Sequence, residues 1–103
     1  MAAAQIFKAL GDPIRLEMVT RLADGSTQTL GNLSKGLGVT RQGARKQIEV
    51  LVSAKVVHLK PLGREIMVTL DTSTLEIARA FIAKLESQWD SRLKALKDFV
   101  EHQ

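Results

Sequence analysis

One apolar series restricts what this chain can fold into. Leu75, Ala78, Ile82, Leu85, Trp89, Leu93, Leu96 and Val100 recur every three or four residues, the spacing of one face of an α-helix. Ser73-Thr74-Leu75-Glu76 has the form of a capping box at its start. A helix of about 28 residues would run about 42 Å, longer than the diameter of so small a domain. Part of the stripe must find another surface. The expected cover is the same helix and the first helix of a second copy, in a two-fold homodimer. The alternative is a break that folds the helix back on its own core. Dimerisation helices are placed near residues 2–10 and 73–101, with Ile6, Ile82, Leu85, Trp89, Leu93 and Leu96 as interface residues.

The 103 residues amount to one domain's worth of sequence, so a single domain over 1–103 is expected. Hydrophobic residues at 45% and charged residues at 25% are ordinary for a folded chain. The absence of cysteine removes disulfides, thiolate metal sites, thiol redox sensing and cysteine nucleophiles together. Met1 to Gln5 shows no basic segment followed by an apolar one, and no apolar run reaches spanning length. A soluble cytoplasmic protein with no membrane partner is expected.

Ahead of the long stripe the pattern is of short elements. Ala3, Ile6, Phe7 and Leu10 repeat at helical spacing up to Gly11-Asp12-Pro13, where Asp12 can cap a second helix and Pro13 suits its first turn. That helix sets Ile14, Met18 and Leu22 inward and Glu17, Thr20 and Arg21 outward. Ser26 to Thr29 is a polar connection with room for a brief extended segment. Leu30, Leu33 and Leu37 mark a third helix ending at Gly38. From Thr40, a capping residue, a fourth helix turns Ala44, Ile48 and Leu51 inward and Gln42, Lys46, Glu49 and Ser53 to the opposite face, with Arg41 and Arg45 on a flank. Val56 to Lys60 and Glu65 to Leu70 read as strands of a hairpin around Pro61-Leu62-Gly63-Arg64, with Ile66, Val68 and Leu70 inward and Glu65, Met67 and Thr69 outward.

The net charge of +4 is unevenly distributed. Residues 1–34 balance, residues 35–64 carry seven basic side chains and one acidic, and residues 65–103 carry five basic and seven acidic. The positive excess therefore lies around the fourth helix and the hairpin, as attraction to nucleic acid requires.

Helix, tight turn, basic helix and a hairpin with a basic tip follow the order of a winged helix-turn-helix. FKALGDPIRLEMVTRLADG (7–25), GLGVTRQGARKQIEVLVSAKVV (36–57) and GREIMVTLD (63–71) together resemble the ArsR family of bacterial repressors. The resemblance spans nearly the whole chain. It implies a mainly α fold with a β-hairpin wing and a long C-terminal dimerisation helix, binding double-stranded DNA with the Thr40 helix in the major groove. Arg41 and Arg45 can then address guanine edges and Gln42 adenine edges. Thr40, Lys46, Lys60 and Arg64 are expected on phosphates, with the minor groove as the alternative for Arg64. A dimer implies an imperfect palindrome.

Metal-sensing members carry cysteines on the third helix or histidine and carboxylate ligands on the last. TLGNLSKGLG has neither thiolate nor imidazole, and His58 and His102 are far apart in sequence. The resemblance is to the branch without metal-sensing motifs, and no cofactor is expected. Phe81, Trp89 and Phe99 read as packing residues, with a pocket for an unknown small-molecule effector as the alternative. No catalytic grouping is recognisable, so an enzyme is not expected. The rival reading is a winged-helix module that binds proteins and not specific DNA; it calls for an acidic or apolar face on the Thr40 helix, which this sequence lacks.

Overall fold

The computed structural model describes residues 2–102. Among these residues five helices and three strands follow one another: α1 (Ala2–Leu10), α2 (Pro13–Leu22), β1 (Gln28–Thr29), α3 (Leu30–Ser34), α4 (Arg41–Ser53), β2 (Val57–Leu62), β3 (Glu65–Leu70) and α5 (Thr72–Glu101). Local chemistry sets most starts. Asp12 Oδ2 accepts from the amides of Ile14 and Arg15 at 2.9 and 3.1 Å, satisfying two otherwise unpaired donors of α2, and Pro13 loses nothing at the first helical position. Thr29 caps α3 through the Asn32 amide, and Thr40 caps α4 through the Gly43 amide at 2.9 Å.

The core is one cluster drawn from every helix and from the sheet. Ile6 and Ala9 of α1, Met18, Val19 and Leu22 of α2, Leu33 of α3, Ala44, Ile48 and Leu51 of α4, Val57, Val68 and Ala78 meet there with Val56. Each fully buried Leu, Ile, Val or Met contributes about 1.5–3 kcal/mol of apolar transfer free energy. The α4 face expected from the spacing is the buried one. Ile6, expected on the dimer interface, is 1% exposed within the chain and packs in this core.

The strand order is β1-β3-β2, all antiparallel. Leu62 pairs with Glu65, so the hairpin turn is just Gly63-Arg64, and β2 runs two residues further than its sequence suggested. Gly63 supplies the positive φ, +62°, that a two-residue hairpin turn needs. Pro61 can sit within β2 because that strand is at the edge, where an absent N–H breaks no ladder.

Three expectations change. α3 stops at Ser34 because Lys35 is extended (ψ 129°), although Leu37 still packs on the core from outside the helix. Arg21 is not simply outward: its guanidinium donates to the Leu33 and Lys35 carbonyls at 3.1 and 2.7 Å, tying α2 to the end of α3. The cap of α5 is Asp71 and not Ser73, since Asp71 Oδ1 accepts from the amides of Ser73 and Thr74 at 2.9 and 3.2 Å. A carboxylate there also faces the positive end of the helix dipole.

α5 is a single unbroken helix of 30 residues. Only its first turns enter the core, through Thr74 and Ala78; from Arg79 onward every described residue is exposed. The molecule is accordingly 70 Å long and 25 Å across. α1 packs against the base of α5, where the Phe7 and Phe81 rings meet edge to face with centroids 5.7 Å apart.

Candidate nucleic-acid interface

The candidate surface is built where three elements converge. The N-terminal turns of α4 face the start of α3 and the first residues of β3, leaving a cleft of about 490 Å³ lined by Thr29, Leu30, Gly31, Arg41, Gln42, Arg45, Arg64, Glu65 and Ile66. Its walls carry three guanidinium groups and one carboxylate, over an apolar floor of half-buried Leu30 and Ile66. Arg41, Gln42 and Arg45 are all exposed. Arg45 has a loose partner in Glu49, with Nε 3.8 Å from the carboxylate and both side chains largely in water, a contact too weak to hold the arginine against a better acceptor.

Gly43 explains how this end of α4 is closed. A Cβ at that position would stand 3.2 Å from the Thr40 hydroxyl oxygen, closer than such contacts normally come. Without it the hydroxyl oxygen settles on the Gly43 amide and leaves its own O–H free to donate outward.

The cleft gathers Arg41, Gln42 and Arg45 with Arg64 of the wing turn, which the sequence had placed on separate elements. Lys46 is exposed on α4 outside the cleft. Lys60 pairs across the hairpin with Met67 on the edge strand; it is exposed and is not among the residues that line the cleft. Thr29, Leu30, Gly31 and Glu65 complete the cleft and were not expected there. Hairpin register brings Glu65 in, and the pairing of β1 with β3 brings in Thr29 and its neighbours. Neither is visible in local periodicity.

Elsewhere, His58 Nε2 lies 2.5 Å from Asp71 Oδ2, joining the edge strand of the wing to the cap of α5. Among the described residues no group of three or more His, Cys, Asp or Glu side chains could hold a metal ion. No helix among them is long and apolar enough to cross a membrane. Ile82, Leu85, Trp89, Leu93 and Leu96 are between 43% and 62% exposed along one side of α5.

Comparison with known proteins matches these parts to a common plan. A family model described as a helix-turn-helix domain matches residues 10–60. The structure of an ArsR-like transcriptional regulator from Rhodococcus sp. RHA1 superposes with a TM-score of 0.79 at 30% identity, covering 95% of this chain and 92% of that one. The chain belongs to the ArsR family. The crystal structure of another ArsR family transcriptional regulator shares the fold at a TM-score of 0.81 and 24% identity, over 87% of this chain and 92% of that one. So does the transcriptional repressor BigR from Xylella fastidiosa, at a TM-score of 0.62 and 22% identity over 78% of this chain and 82% of that one. No curated protein matches. As an ArsR-family winged helix-turn-helix, the chain is a DNA-binding transcription regulator: α3 and α4 form the helix-turn-helix, and β2 and β3 the wing.

Proposed function

We propose that this ArsR-family regulator represses transcription as a homodimer, with each protomer's α4 in the major groove at one half of an imperfect palindrome. The observation that carries the reading is the cleft in which Arg41, Gln42, Arg45 and Arg64 come together with no more than one opposing carboxylate. Arg41 and Arg45 present the bidentate donors that match guanine O6 and N7, and Gln42 the donor and acceptor that match adenine N6 and N7. Thr40, Lys46 and Lys60 serve phosphates, which fix register and carry no sequence information. Arg64, at the wing turn, follows the strand beside the reading helix.

A second copy is the cover for α5. Its exposed stripe continues the line of Thr74 and Ala78, which already enter the protomer core, so the surface that packs at the base is the surface left bare further out. Ile82, Leu85, Trp89, Leu93 and Leu96 are the interface residues of this reading. A symmetric pairing presents two α4 helices to one side of DNA about 34 Å apart. Regulation, and not catalysis, is the role.

Selection of bound sequences from random duplexes at fixed salt, with oligomeric state measured alongside, tests the reading. A two-fold symmetric consensus bound by a dimer supports it. Binding that shows no sequence preference, or capture of protein partners through α4 without DNA binding, would replace it with the protein-interaction reading.

A further inference from the structure

We infer that Arg15 is a positioning residue that holds the reading helix in a fixed attitude to the α1/α5 pair, with Gln47 as its hold on α4. This rests on the DNA-reading dimer proposed above. Arg15, half-buried at the first turn of α2, donates from each of its three guanidinium nitrogens to one of two other helices. Nε donates to the Ala9 carbonyl at 2.7 Å and one terminal nitrogen to the Lys8 carbonyl at 3.3 Å, both in the last turn of α1, where the Lys8 carbonyl also accepts from the Gly11 amide. The other terminal nitrogen donates to Gln47 Oε1 on α4 at 2.7 Å, across 32 residues of sequence.

The placement gives this bond its consequence. α1 packs on α5, the element assigned to the dimer contact, and Gln47 lies one turn beyond the base-facing part of α4. A planar guanidinium with donors in a fixed fork resists rotation of one helix against the other in a way that apolar packing, which is not directional, does not. Orientation of α4 within one protomer matters little to a single half-site. It matters to a palindrome, where two reading helices must arrive in register together.

Gln47→Leu removes the α4 acceptor and leaves both α1 bonds in place. It is expected to weaken binding to the two-half-site duplex about tenfold, within the range of ordinary coupling between sites, while affinity for an isolated half-site and the salt dependence stay as in the parent. Gln47→Asn, which keeps an amide but withdraws it by one methylene, is expected to behave alike, and serves if the leucine variant does not fold. Gln47→Glu restores the acceptor and should recover the full-site affinity. Because the chain has no cysteine, Ser53→Cys and Lys94→Cys can carry spin labels on α4 and α5, diluted with unlabelled protein. The distance distribution should be narrow in the parent and in Gln47→Glu, and broader in Gln47→Leu. Equal losses on both duplexes, no loss on either, or an unchanged distribution would reduce Arg15 to a local structural contact. If the parent binds no duplex selectively, the DNA reading fails by itself, and the label distances alone decide the coupling.

Discussion

Arg45 stands in solvent on α4 with a distant carboxylate for company, a contact that the proposed base edge would replace. Arg45→Ala is expected to cost about 1–3 kcal/mol of specific affinity and to relax the preference at one base position. Lys60→Ala, outside the cleft on the edge strand of the wing, should weaken all duplexes alike and lower the salt slope by about 1. Competition binding at several salt concentrations separates the two. Lys55 adopts φ +62° just after α4, where its amide reaches the Val52 carbonyl and that of Val56 the Leu51 carbonyl, each at 2.9 Å. This is a Schellman end with lysine where glycine is usual. Relief of a left-handed conformation that costs about 1–2 kcal/mol, less the extra freedom glycine has when unfolded, should make Lys55→Gly more stable by up to about 1 kcal/mol in urea denaturation. At Asp71 the Ser73 hydroxyl, then His58 and the Thr74 amide, hold the carboxyl down at about 2, below its ordinary 3.8. The folded value is the lower one, so the carboxylate's contribution is present above 3.8 and is lost as pH falls through about 2. Asp71→Asn should therefore be less stable than the parent at neutral pH, by a margin that closes over that acid range. The residues legible in the sequence were those whose partners are local: Asp12 and Thr40 cap amides two or three positions ahead. Arg15 and Arg21 were not, because their acceptors come from other helices, and a count of charges makes both look like solvated surface.

Among the elements, α4 and α5 declared themselves because their apolar spacing is long enough to define a face. α3 did not. Leu30, Leu33 and Leu37 are helically spaced and all pack on the core, yet the helix ends at Ser34 and Leu37 reaches inward from the following turn. Spacing reports which residues point inward; it does not report which backbone delivers them. Ile6 shows the same limit: its helical spacing led to an interface assignment, and within the chain it is 1% exposed in the core. The bare length of α5 carries its own prediction. Leu93 is 46% exposed and lies outside the protomer core, so Leu93→Glu should separate the copies while each remains folded. Sedimentation should show the parent at twice the monomer mass and the variant at the monomer mass, with near-identical far-ultraviolet circular dichroism. A parent that sediments as a monomer would leave the stripe on α5 without its proposed cover.

For the molecule as a whole, a body 25 Å across and 70 Å long carries the cleft and the apolar side of α5 on one core. The helices and wing are compact about Ile48 and Leu51, and α5 projects from them with an apolar side that is exposed among the described residues. In the proposed dimer, pairing two such bodies along α5 would give the cleft of Arg41, Gln42, Arg45 and Arg64 a two-fold mate, and a binding site made of two halves. The most direct measurement is footprinting of the dimer on a sequence selected from random duplexes at fixed salt. The expected result is two symmetric protected segments centred one turn of DNA, about 10 base pairs, apart. One asymmetric segment, bound with the same affinity by Leu93→Glu as by the parent, would contradict it.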